Sequence, residues 1–250
     1  MYALAIIPGI ILFFVIWKFD KVEKEPPRLL IKLFLFGALT VISAVIFAYL
    51  GDRILGFVFK NPGSFGYVFI DSFIFTALIQ ETGKFLVLKK ATWKNREFNY
   101  TFDAVVYSAA VSLGFALCEN LVYLLGSGTG ADLRRVLLSV PGHLFYAVFM
   151  GYFYGCARYA AGDGDKENTG KHLAEALFVP VLMNGFYMLC LRTERPVFFV
   201  VFVLYETFIT VITVRRFIAL SKQDMIIPGM EWTVLPDDAA WEEDSNEGKM

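Results

Sequence analysis

Apolar runs long enough to cross a bilayer recur along this whole chain, and four polar clusters interrupt them: Gln80-Glu81 with Lys84, Glu119-Asn120, His143, and Asn184. Nothing else in the sequence restricts the fold as strongly. About 20 apolar residues span the hydrocarbon core as a helix, and no backbone group in that core can be left unsatisfied. The runs lack the short period-two alternation of a membrane barrel, so the chain reads as an all-α, polytopic transmembrane helical bundle. A charge at mid-membrane costs about 2.5–3.5 kcal/mol on insertion scales. The four clusters should therefore face partners or a water-filled cavity rather than lipid.

Seven spans are expected, at 2–17, 29–50, 67–90, 102–125, 136–157, 173–191 and 197–219. Basic residues set their direction. Loops 18–32, 89–101 and 158–172, with the tail after 214, hold sixteen Lys/Arg, whereas loops 51–66, 126–135 and 192–196 hold six. That bias puts the N-terminus outside and the C-terminus in the cytoplasm. The first run, Ala3 to Trp17, has no basic n-region and no small-residue cleavage site, so it reads as a retained helix. Lys18 to Arg28 mixes charges and breaks at Pro26-Pro27, which reads as a solvated connector before the second helix. Gly126 to Gly130 reads as a flexible loop. Residues 1–220 form one transmembrane domain, and 221–250 an acidic cytoplasmic tail expected to be solvated and disordered. With a net charge of −1 the chain offers no basic surface for a nucleic acid. Cys118, Cys156 and Cys190 fall in predicted spans and form no CxxC pair, so no disulfide framework is expected.

Glu81 and Lys84 are three apart and share a helix face, where the ammonium can neutralise the carboxylate or only fix helix packing. Gln80 points roughly 100° away from Glu81, so both can border one cavity. Glu119 follows Phe115 by one turn, and Gly114 and Ala116 let another helix approach closely. Asp103 and Tyr107, at the end of the same span, read as capping and interfacial anchoring. His143 follows Pro141-Gly142 among aromatics, Asn184-Gly185 alone reads as interhelical glue, and His172 is interfacial. At about 1.5 Å of rise per residue, Glu119 and His143 lie about 9 and 10 Å below the outer ends of their spans. The four clusters meet at one depth if the third helix continues toward Lys94.

These residues resemble the PrsW family of intramembrane proteases, distantly similar to the CAAX-protease and bacteriocin-processing superfamily. Gln80-Glu81-Thr82-Gly83-Lys84 is similar to a Glu-Glu-x-x-Lys motif, and Gly114-Phe115-Ala116-Leu117-Cys118-Glu119-Asn120 to a Gly-Phe-Ala-x-x-Glu-Asn motif. His143 with Met150-Gly151-Tyr152 and Gly155 matches a third, and the Asp20 to Pro26 connector also fits. The resemblance implies a protease in the bacterial plasma membrane that cuts a single-pass membrane protein, such as an anti-sigma factor. It implies that Glu81, or a glutamate in place of Gln80, activates water. Glu119 and His143 then position the water or the scissile carbonyl, Asn120 and Asn184 donate amides, Lys84 sets the charge of Glu81, and Phe115 supports the site.

Two positions depart from the family pattern: Gln80 stands where it has Glu, and Asn184 where it has His. A Gln side chain has no basic carboxylate, so the resemblance carries the fold and the cavity further than it carries activity. No cofactor is expected. The runner-up is a divalent metal on Glu81, Glu119 and His143, which are ligand types for zinc or manganese but lack an HExxH spacing. Two further readings stay open. One is an ion relay, for which the inverted repeats and broken helices of transporters are missing. The other is a non-catalytic protein of the same fold that captures a partner's transmembrane helix.

Overall fold

The computed structural model describes residues 2–20, 22–127, 133–193 and 195–233. The elements in chain order are α1 (Tyr2–Phe19), α2 (Pro27–Val58), α3 (Phe65–Ile70), a π-helical segment (Asp71–Leu78), α4 (Ile79–Thr92), α5 (Asp103–Ser127), α6 (Leu133–Gly162), α7 (Lys166–Arg192) and α8 (Pro196–Leu220). Among the described residues there is no strand, only an isolated antiparallel bridge between Tyr100 and Ile226. Among the described residues five helices, α2, α5, α6, α7 and α8, are long and apolar enough to cross a membrane. Helix α1 is a shorter apolar helix, and the stretch 65–92 is divided by its π segment. Gly128 to Gly130, and residues 234–250 of the acidic tail, lie outside the described residues.

Local signals set the ends of these helices. Pro27 opens α2, where its missing N–H takes away no helix bond. The Asp165 carboxylate caps α7 by accepting from the Asn168 N–H at 3.0 Å. Helix α4 ends on Lys89 and Lys90, whose charges suit a helix C-terminus.

Helix α5 is the axis of the bundle, buried along most of its length. Small residues let its neighbours close on it. A Cβ on Gly114 would run into the Phe34 carbonyl of α2, and one on Gly37 of α2 into the Val111 carbonyl of α5, so this contact is reciprocal and backbone to backbone. On the other side Gly151 and Gly155 of α6 press on the start of α5: a Cβ at Gly155 would sit 2.6 Å from the Thr101 carbonyl. Close approach through small residues is how membrane helices gain packing contact where lipid removes the hydrophobic drive between them. Helix α8 is mostly exposed and lies against α6 and α7. The three cysteines are unpaired.

Two sequence expectations change. The Asp20–Pro26 connector is not solvated throughout, because Asp20 and Glu25 are buried at 1% and 3% exposure. Glu25 turns inward to accept from the Tyr107 hydroxyl at 2.5 Å. Lys24 folds back on the Trp17 and Asp20 carbonyls. Burial pushes the Asp20 carboxyl up to about 6, with Lys24 opposing and Asp224 and Glu23 adding to it. The start of the tail is also not free. Residues after α8 return to the loop before α5, with Ile227 N–H donating to the Asn99 carbonyl at 2.7 Å and Thr101 N–H to the Met225 carbonyl at 2.9 Å. Asp224 accepts from the Phe102 N–H at 2.8 Å, and Ile227 is fully buried. These backbone bonds and one apolar anchor order a segment whose charge alone suggested solvation.

Candidate active site

All four polar clusters converge, and all their side chains but that of Asn120 close a ring. Gln80 Nε2 donates to Glu119 Oε1 at 3.0 Å. Asn184 Nδ2 donates to Gln80 Oε1 at 2.9 Å and to Glu81 Oε1 at 2.8 Å. Lys84 Nζ donates to Glu81 Oε1 at 2.7 Å and meets His143 Nδ1 at 3.2 Å. His143 Nε2 returns to Glu119 Oε2 at 3.1 Å. The ring fixes the histidine tautomer: an ammonium only donates, so Nδ1 accepts and the Nε2–H donates to Glu119.

The ring side chains arrive from four elements. Gln80, Glu81 and Lys84 come from the first turns of α4, just past the π segment; π turns recur at functional sites because they shift the helix face that follows. Glu119 comes from α5, His143 from α6 and Asn184 from α7. Gly185 allows α7 to reach the π segment, since a Cβ there would collide with the Phe73 ring. Phe115 stands edge-on to His143 with ring centroids 5.0 Å apart, and the Lys84 ammonium lies 5.1 Å from the Phe115 centroid, a cation–π distance. The i,i+3 pair of Glu81 and Lys84 is thus a buried ion pair, both side chains at 0% exposure.

The two carboxylates differ in access. Glu119 is 14% exposed and lines both a cavity of about 250 Å³ and a void of about 10 Å³. Glu81 lines neither, and its Oε2 is buried without a partner. Asn120 lies outside the ring: its amide donates to the Val136 carbonyl at 3.0 Å and ties α5 to α6. Four groups at the site escaped the sequence reading. Arg135 approaches Glu119 Oε1 at 3.9 Å, and the Ser139 hydroxyl approaches Oε2 at 3.4 Å. Tyr146 and Tyr187 line the small void. Ser139 and Tyr146 stand four before and three after His143, a helix-face spacing that carries this signal.

Among the carboxylate and imidazole atoms of this donor set only Glu81 Oε2 lacks a partner, too few to hold a divalent metal. His143 and Glu119 are bonded to each other, Lys84 holds the cation position between Glu81 and His143, and the remaining places are amides. Among the described residues no three His, Cys, Asp or Glu side chains gather as a metal-binding group. The arrangement as it stands does not fit a divalent ion.

A carboxylate and an imidazole joined beside a water-sized void, inside a bundle of membrane-length helices, are the groups a membrane-embedded hydrolase needs. Comparison narrows the class. The family model described as "PrsW family intramembrane metalloprotease" matches residues 25–214. The chain is 33% identical over 199 residues to Protease PrsW of Clostridioides difficile (strain 630), covering 78% of this chain and 80% of that one. It is 32% identical over 189 residues to Protease PrsW of Geobacillus kaustophilus (strain HTA426), covering 75% and 78%, and 33% identical over 182 residues to Protease PrsW of Bacillus subtilis (strain 168), covering 73% and 78%. No solved structure matches. The chain belongs to the PrsW family of intramembrane proteases, and is a multi-pass bacterial membrane protein with peptidase ancestry.

Proposed function

We propose that the chain hydrolyses a peptide bond of a membrane-anchored protein, with Glu119 as the general base. The observation that carries this reading is the access of Glu119 to both the void and the larger cavity, while Glu81 is sealed behind Lys84 and Asn184. Glu119 takes a proton from water as the water oxygen bonds to the scissile carbon, then returns a proton to the leaving amide nitrogen. His143 holds the Glu119 carboxylate in line through Nε2–H, and Lys84 keeps that tautomer by occupying Nδ1. Glu81 balances the Lys84 charge. No step calls on a cofactor, and a purified chain free of metal is expected to keep its activity in chelator. The substrate class is a single-pass membrane protein such as an anti-sigma factor, as the resemblance implies. Helix α1 and the stretch 65–92 complete seven spans, with the N-terminus outside by the Lys/Arg bias.

The test uses purified chain in liposomes fused with bacterial membrane vesicles, with new peptide termini read by mass spectrometry. Cleavage is expected from the unaltered chain and is lost in Glu119→Gln. If the unaltered chain, Gln80→Glu and Gln80→Glu/Asn184→His all produce no new termini, the peptidase reading fails. One observation favours a second reading: Gln80 and Asn184 spend their amide protons on closing the ring. A ring closed in this way suits a family member that binds a partner helix without cutting it. That reading predicts a co-purifying membrane partner, intact even with both motif residues restored.

A further inference from the structure

Tyr146 on α6 and Tyr187 on α7 carry hydroxyls that their packing does not explain. Both rings are well held. Tyr146 stands edge-on to His143 at 6.0 Å and to Tyr187 at 6.4 Å, and Tyr187 packs on Phe202 at 5.4 Å. A phenylalanine would fill either place. Yet both hydroxyls are buried and have no hydrogen-bond partner, and buried polar groups are almost always satisfied.

A third orphan points to the same place. Asn184 gives both its donations from Nδ2, and its Oδ1 is buried without a partner. Tyr146, Tyr187 and Asn184 all line the void of about 10 Å³ that also touches Glu119 and His143. That is close to the room one water needs, and a buried water needs two to four polar partners. The orphans fit its valence. Two phenolic O–H groups can donate to its oxygen, while its two protons go to Asn184 Oδ1 and to Glu119.

We propose that Tyr146 and Tyr187 are catalytic hydroxyl donors that hold the attacking water at Glu119 and then stabilise the oxyanion. The proposal rests on the peptidase reading. As the water oxygen bonds to the scissile carbon, its proton passes to Glu119 and the carbonyl π electrons move onto the carbonyl oxygen. One tyrosine O–H then shifts from the water to that new oxyanion, and no outside reactant is needed. Donors aimed at a developing oxyanion strengthen as charge forms, which is how they lower a barrier.

Two measurements test this. A high-resolution structure of the unaltered chain is expected to show one water in the void bonded to at least one of the two hydroxyls. In whichever form cleaves membrane substrate, unaltered or Gln80→Glu/Asn184→His, Tyr146→Phe and Tyr187→Phe are each expected to lower kcat by about 10²-fold with KM unchanged. The thermal midpoint should move little, because each variant loses one bond to the water and keeps the ring. A merely structural tyrosine would move the midpoint and leave kcat alone. Both variants cleaving within twofold of their parent overturn the proposal while the peptidase reading stands. A dry void, or a water that touches neither hydroxyl, overturns the proposal whatever the activity. Absence of cleavage from every form sinks the peptidase reading itself and, with it, the catalytic role of the tyrosines.

Discussion

Replacing Lys84 with methionine tests whether the ring is an ionic unit. Lys84 is fully buried, 2.7 Å from Glu81 Oε1 and 3.2 Å from His143 Nδ1, and Met keeps most of its volume. The substitution strands a fully buried carboxylate whose only remaining donor is the Asn184 amide. Breaking one side of a buried pair costs about 3–5 kcal/mol. Lys84→Met should therefore destabilise by about 3 kcal/mol or more at pH 7. Glu81→Gln strands the ammonium and should cost a similar amount. The double variant should recover most of both losses, because an uncharged pair of similar volume is often neutral. Reversible unfolding in mixed micelles measures all three. A loss under about 1 kcal/mol for Lys84→Met at pH 7, or a double variant that costs the sum of the singles, refutes a buried ionic ring.

Gly114→Ala puts a methyl into the Phe34 carbonyl, which as backbone cannot swing aside. Prying α2 from α5 should cost up to about 3 kcal/mol in the same unfolding assay, and Gly37→Ala should match it. Asp20, raised from 3.8 to about 6 in the fold, contributes stability fully present below pH 3.8 that is lost as pH rises through about 6. Asp20→Asn should leave stability at pH 4 nearly unchanged and recover at most about 3 kcal/mol at pH 8, narrowing the difference in thermal midpoint between them. Gln80→Glu alone should destabilise the ring and Asn184→His should relieve it, so the pair should show a favourable coupling of about 1 kcal/mol or more in a double-mutant cycle.

What the sequence disclosed follows from the cost of burying charge in a membrane. Gln80, Glu81, Glu119, His143 and Asn184 stood out because lipid offers them no partner, and they do meet in one ring. Spacing along one helix fixed the Glu81–Lys84 pair for the same reason. Contacts between helices were not legible. Asn120, next to Glu119 in the motif, faces a different neighbour one residue on and bonds to Val136. The π segment Asp71–Leu78 has an unremarkable composition; its register is held by packing against α7 rather than by local propensity. Charge misled in the connector, where Asp20 and Glu25 looked solvated until the Tyr107 hydroxyl, eighty residues away in sequence, gave Glu25 an inward partner. The tyrosines of the void were silent for the opposite reason: an aromatic in an apolar helix reads as core, and only its unmet hydroxyl says otherwise.

Gln80 and Asn184, where the resemblance implies Glu and His, make better sense together than apart. The ring holds Glu81 and Glu119 against one Lys84 ammonium, and Arg135 adds a distant charge at 3.9 Å from Glu119. A glutamate at position 80 would bring a second carboxylate to the 3.0 Å contact that the Gln80 amide now makes with Glu119. Two carboxylates that close cannot both ionise, so one must keep a proton or a new cation must arrive. A histidine at position 184 can supply that cation when it carries a second proton. Glu with His⁺, and Gln with Asn, therefore leave the ring with the same net charge. The present pair also keeps its bonds, because one Asn184 amide reaches both position 80 and Glu81. A glutamate at position 80 without that imidazolium would leave a buried charge without its balance. The amides at 80 and 184 thus form a matched pair in one electrostatic unit, equal in net charge to the Glu and His that the resemblance implies, with Glu119 left as the carboxylate facing the void.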